Sequence, residues 1–219
     1  MYILQNPVIM YNNTNKKQGN IMGKLFLLLA RSYALNEDKD REYYDCVGTY
    51  CHTPEFLSME KNIQHGSINV CRHTYSVSYI SYRIAKKRGL NYRSAAKGAL
   101  LHDLFYYDWH EKDPSHRLHG YYHPGFALKN ARELSLKVGD TLSQMEENII
   151  YRHMFPLTVI PPKYRESLLV CAVDKYVSTM EIMICKFPGL KKSFIKNIEM
   201  FKGGPDLHNR GEKLEIQSD

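Results

Sequence analysis

The 219-residue chain is 43% hydrophobic and 24% charged, an ordinary globular composition with enough length for one core and its appendages. Thirty basic against twenty-three acidic residues give a formal charge of +7; five lysines face one glutamate between Lys186 and Gly204, scattered rather than in the dense stripe that nucleic acid asks for. Five cysteines, an odd number without a C-x-x-C pair, imply no disulfide framework and fit a reduced, cytoplasmic setting.

Residues 1–20 are polar and turn-rich and read as weakly structured. The run IMGKLFLLLA (Ile21 to Ala30) is about half the ~20 residues of a spanning helix and is interrupted by Lys24. It reads as an amphipathic docking helix, with helical structure expected over Met22 to Leu35. NEDKDREYYD reads as a loop or helix end, and PEFLSMEKN suits a short helix with Pro54 in its first turn. In INVCRHTYSVSYISYRIAKKRGL, Val70, His73, Val77, Ile80 and Ile84 recur at helical spacing, and Gly89 closes the helix. NYRSAAKGALLHDLFYY starts the next, with Asn91 as its cap.

DWHEKDPSHRLHGYYHP is a polar, histidine-rich connection, after which Pro124 stands at the start of GFALKNARELSLKVG. DTLSQMEENIIYRHM is helical and capped by Asp140 or Thr141. FPLTVIPPKY breaks it with three prolines. ESLLVCAVDKYVSTMEIMI is a long helix, and from Pro188 the chain reads as a partly ordered tail. With no strand alternation and no internal repeat, the expected architecture is an all-α bundle of about six to eight helices. The expected divisions are an extension with one helix over 1–54, the bundle over 55–187 and a basic tail over 188–219. The seventeen tyrosines are expected to cover helix faces and line a cleft.

Each helix from position 70 to 180 offers a ligand-type side chain to a common interior. His73 lies on the row of Val70, Val77 and Ile80. His102 and Asp103 end the next helix, His123 opens the following one, His153 ends another, and Asp174 interrupts LLVCAVDKYV. Taken singly, His73 reads as a hydrogen-bonded core histidine, and Asp174, amid LLVCAV, as paired, protonated or metal-bound, with a capping or ion-pair role as the competing reading. Buried polar groups need partners, and four imidazoles with two carboxylates together point to a cation. That donor set suits Zn, Fe, Mn, Ni or Co. Six ligands exceed what one tetrahedral zinc takes and are about right for two bridged ions.

The order H…HD…D, here His73, His102-Asp103 and Asp174, resembles the signature of the HD superfamily of metal-dependent phosphohydrolases. RHTYSVSYISYRIA, GALLHDLFYYD and CAVDKY each look like the family's corresponding helices, and the resemblance covers residues 62 to 185. YHPGFAL resembles a helix start of the two-metal branches, and His153 falls where those branches place a further ligand. This maps His123 and His153 onto a second ion. The glycine-tyrosine-proline element of the HD-GYP branch is absent after His153, where MFPLTVIPP stands, so a cyclic dinucleotide is not supported. The chain looks most like the small, stand-alone bacterial members.

The resemblance implies hydrolysis of a phosphate ester or diester, nucleotide-like or otherwise small, by water activated on one or two divalent ions. Asp103 belongs to that machinery. The loop after it supplies helpers: Arg117 to clamp a phosphate, Lys112 as a point charge or catalytic group, and His116 or His119 to protonate the leaving group. Lys175 is a further phosphate contact, Asp108 a further acid or base, and His65 a candidate for the pocket rim. His52, His110 and His208 read as surface residues. Two alternatives stand beside hydrolysis: a di-iron oxygenase on the same fold, and a non-catalytic nucleotide- or partner-binding module. The expected partner is a small phosphorylated substrate, without nucleic acid or a membrane span; the oligomeric state is open, a homodimer included.

Overall fold

The computed structural model describes residues 21–111 and 118–203. Among the described residues the chain is mostly helical. Helix α1 covers residues 21–32. It is followed by α2 (Arg41–Cys51), the single turn α3 (Pro54–Leu57) with a 3-10 turn at Ser58–Lys61, and a hairpin of β1 (Ile63–His65) and β2 (Ile68–Asn69). The bundle proper is α4 (Val70–Lys87), α5 (Tyr92–Leu100), α6 (His119–Lys137), α7 (Gln144–Arg152) and α8 (Arg165–Lys186), closed by α9 (Pro188–Lys202).

Local chemistry sets these boundaries. The Asn69 side chain accepts from the Arg72 amide at 2.8 Å and starts α4. Gly89, at φ +65°, ends it: the Gly89 amide donates to Lys86 O and the Leu90 amide to Ala85 O, the paired bonds of a Schellman turn. Asn91 caps α5 through the Ser94 amide at 3.0 Å. Thr53 caps α3 with Pro54 in its first turn.

Several boundaries differ from the sequence reading. The segment read as a loop or helix end at Asn36–Asp45 runs into the start of α2 rather than the end of α1, so the first 54 residues hold two helices among those described, where one was expected. Tyr43, Val47, Tyr50 and Cys51 form its buried stripe behind an exposed charged face. The cap of α7 is Ser143, not Asp140 or Thr141: its hydroxyl accepts from the Glu146 amide while the Glu146 carboxylate takes the Ser143 amide. Asp140 is occupied by Lys97 and Tyr50 at 2.9 and 2.8 Å. Helix α6 starts at His119, after Leu118 turns the chain through φ +57°, so Pro124 and His123 lie inside the helix rather than at its start. The two short strands are too brief for an alternation to register. Gly66, at φ +60°, makes their turn. The stretch from Pro188, read as a partly ordered tail, is helical to Lys202, with Phe194 and Ile198 buried and Lys192, Lys196 and Lys202 exposed. Residues 1–20 and the chain beyond 203 lie outside the described residues.

The core is built around α4, which packs on α5 and α8, while α7 packs on α5, α6 and α8. On one side Leu29, Val77, Ile80, Ile149, Val170 and Val177 interlock, with Phe194 and Ile198 of α9 added to them. On the other, Tyr43, Tyr50, Phe56, Leu100, Leu104 and Phe105 do so. Gly98 lets α5 approach α7 closely: a Cβ there would meet Ile149 carbons at 2.9 to 3.0 Å. The polar cluster described next lies where α4 to α8 converge. No helix among the described residues is long and apolar enough to cross a membrane.

Candidate metal centre

Five helices contribute to one buried cluster. His73 comes from α4, and His102 and Asp103 from the turn just past α5. His123 comes from α6, His153 from the C-terminal cap of α7, and Asp174 from α8. All six are buried, none more than 6% exposed.

The cluster has two halves joined by Asp103. In the first, Nε2 of His73 is 3.2 Å from Asp174 Oδ1 and 4.0 Å from Asp103 Oδ2. Nε2 of His102 is 3.4 Å from Asp103 Oδ2 and 3.6 Å from Asp174 Oδ1. In the second, Asp103 Oδ1 lies 3.1 Å from His123 Nε2 and 3.4 Å from His153 Nε2. Gln64, on β1, donates to Asp103 Oδ2 at 2.9 Å.

Tautomers follow from the partners on the far side of each ring. Nδ1 of His102, His123 and His153 faces the main-chain carbonyl of Ala99, His119 and Ile150 at 2.7, 2.9 and 2.7 Å. A carbonyl only accepts, so each Nδ1 carries hydrogen and each Nε2 lone pair is turned inward. Nδ1 of His73 instead meets Glu181 Oε2 at 2.8 Å.

Charge is strongly coupled here. Burial alone would raise Asp103, yet His102, then His123 and His153, hold it well below the ordinary carboxylate range. Asp174 is likewise held well below, His102 and His73 outweighing burial. For His73 burial opposes protonation, and Glu181 with Asp174 overrides it, pushing the imidazole well above its usual value. His153 is lowered, by burial first and against the pull of Asp103.

These residues fit a divalent cation. Among the described residues, His102 Nε2 and Asp103 Oδ1 are buried without a hydrogen bond, a costly state that a bound cation beside each would resolve. His73, His102 and Asp174 converge closely enough to ligate one ion, and so do His102, Asp103 and His153. The donors are imidazole and carboxylate without thiolate; Cys71 and Cys171 are buried free thiols outside both groups.

The other sequence candidates fall around this centre. His119 donates or accepts through Nδ1 with the Tyr107 hydroxyl at 3.1 Å. Its ring stacks on His123, centroids 4.4 Å apart, with Trp109 parallel to it at 5.3 Å. Lys175 donates to His153 O at 2.7 Å and sits 3.4 Å from Asp174 Oδ2, its side chain 42% exposed. Asp108 receives the amide and ring of His110, both at 2.9 Å. His65 is half-buried, edge-on to His73 with centroids 5.6 Å apart. His52 is exposed and pairs with Glu37 at 3.2 Å. Lys112, His116, Arg117 and His208 lie outside the described residues. The reading missed Glu181 and Gln64. Glu181 stands two helical turns after Asp174 in the apolar stretch MEIMI, the one signal that could have exposed it; Gln64 had none.

A family model for the HD domain matches residues 70–178, a span that holds all six clustered residues. No curated protein and no solved structure matches the chain.

Proposed function

Because the chain belongs to the HD domain family, which includes metal-dependent phosphohydrolases, we propose that it hydrolyses a phosphate ester or diester of a small phosphorylated compound. The observation that carries this reading is Asp103: one buried carboxylate turns one oxygen to each of two histidine groups. His73, His102, Asp174 and Asp103 Oδ2 would hold one divalent ion, and Asp103 Oδ1, His123 and His153 a second. Bound there, such ions acidify water toward neutrality and neutralise charge on a phosphoryl oxygen.

The chain's own residues supply the rest. The three carbonyl-bound rings keep their Nε2 lone pairs inward and need no rearrangement. Lys175, anchored on His153 O, holds a positive charge at the exposed edge beside Asp174, where a phosphate oxygen can be met. His119, stacked on His123, is the imidazole that gives a proton to the leaving oxygen. Arg117, Lys112 and His116 are assigned by chemistry alone: Arg117 to a phosphate that its guanidinium fork matches, Lys112 as a point charge, and His116 as an alternative proton donor to the leaving group.

The test is hydrolysis of p-nitrophenyl phosphate and bis-p-nitrophenyl phosphate, and of a panel of nucleotides, by protein stripped of metal and reloaded with Mn, Co, Ni or Fe. His102→Ala and Asp103→Ala should each lower turnover at least about hundredfold, a loss on the scale of removing an electrostatic stabiliser, with helical circular dichroism retained. Full turnover in both variants overturns the assignment.

A further inference from the structure

The four ligand-type histidines are not oriented alike. His102, His123 and His153 each give Nδ1–H to a main-chain carbonyl, whose position the backbone fixes. His73 alone gives it to a side chain, Oε2 of Glu181 at 2.8 Å. Glu181 is fully buried. Its other oxygen, Oε1, is buried without a hydrogen bond among the described residues. The same helix, α8, carries Asp174 seven residues earlier, so two turns place a ligand and this carboxylate on one face. Asp174 meets the inward nitrogen of the ring, at 3.2 Å, and Glu181 the outward one.

We infer that Glu181 is a positioning residue for the metal half containing His73: its carboxylate fixes the Nδ1–H tautomer, aims Nε2 at the ion position, and makes this the most electron-rich imidazole of the four. The inference rests on the phosphohydrolase reading only as far as a divalent ion binding at this centre. A carboxylate behind a ligating imidazole raises ligand basicity and locks ring orientation, and its loss costs about ten- to hundredfold in metal affinity. A main-chain carbonyl does the locking but supplies no net charge. The two halves of the centre therefore differ in donor strength, and Glu181 is the source of the difference.

The experiment is a chelator-competition titration of the full chain with Co²⁺, recording two binding steps and the visible absorption of each. Glu181→Gln keeps an acceptor for His73 Nδ1–H but removes the charge. It should weaken one step severalfold and shift the absorption of that ion, leaving the other step as in wild type. Glu181→Ala should weaken the same step about ten- to hundredfold. In a His73→Ala background neither substitution should have any further effect on affinity. Unchanged affinities and spectrum in Glu181→Gln, with wild-type circular dichroism, overturn the inference. So does equal weakening of both steps. Should Glu181→Ala not fold, Glu181→Gln decides the matter by itself. A third bound Co²⁺ that is lost on substitution, with His65 and Glu181 as its ligands, would make Glu181 a ligand and also overturn it. Wild-type protein that takes up no ion fails the function reading itself, a result distinct from all of these.

Discussion

Nε2 of His123 and Nε2 of His153 stand 2.8 Å apart, and the other nitrogen of each ring is committed to a carbonyl. With both rings neutral, two lone pairs would face each other at hydrogen-bond distance. A cation shared with Asp103 Oδ1 would remove that conflict, which supports the second ion position proposed above.

Metal content should divide along the same line. Elemental analysis after reloading and desalting should find two equivalents in the wild type and one in His123→Ala or His153→Ala. Asp103→Ala should retain at most one, on His73, His102 and Asp174, since the second half would keep only its two imidazoles. Two equivalents in His153→Ala would contradict the arrangement.

Metal-free protein should lose stability as the medium becomes alkaline. His73 is pushed well above 6.5 in the fold, so its stabilisation is complete below its unfolded value and is lost as pH rises through the folded one. His102, also raised, acts in the same sense, while His153, lowered, opposes them. Asp103 and Asp174, held well below 3.8, stabilise above that value and lose it only as pH falls through their depressed folded values. The urea midpoint of chelator-treated protein should be highest between about pH 4 and 6.5 and decline above that window. Saturating Mn²⁺, which replaces the protons on the rings, should flatten the alkaline decline. A midpoint that climbs steadily to pH 8 without metal would contradict this account.

Gly98→Ala should destabilise the fold by about 1–3 kcal/mol, the usual cost of overpacking. The new methyl would meet Ile149 Cβ, Cγ2 and Cδ1 at 3.0, 2.9 and 3.0 Å, and a branched Cβ has little room to yield. In urea titrations the double variant Gly98→Ala, Ile149→Ala should lose less than the sum of its singles, marking direct contact.

Ser143→Ala should cost about 1 kcal/mol by removing half of a reciprocal cap. Metal content should not change, because His153 is held at the far end of α7 through Ile150 O. A loss of bound metal would show that the helix start and the centre are linked.

The six clustered residues were legible in the sequence because each is a costly side chain set among apolar neighbours, as His73 is among Val70, Val77 and Ile80. Glu181 escaped because a single acid near the end of a long helix reads as solvated, and only its two-turn spacing from Asp174 argues otherwise. Helix α9 escaped because its five-lysine surroundings hide the Phe194 and Ile198 stripe. The start of α6 depends on the φ +57° turn at Leu118, a residue type with no preference for that conformation, so no local signal announced it. The cap of α7 was misread for a different reason. Asp140, Thr141 and Ser143 are all good caps, and the choice is made by Lys97 and Tyr50, which reach Asp140 from distant helices.

The β1–β2 hairpin gives Asp103 a third kind of neighbour, since the Gln64 amide reaches Oδ2 from outside the bundle. Whatever displaces that two-stranded flap therefore tugs on the carboxylate that both halves share.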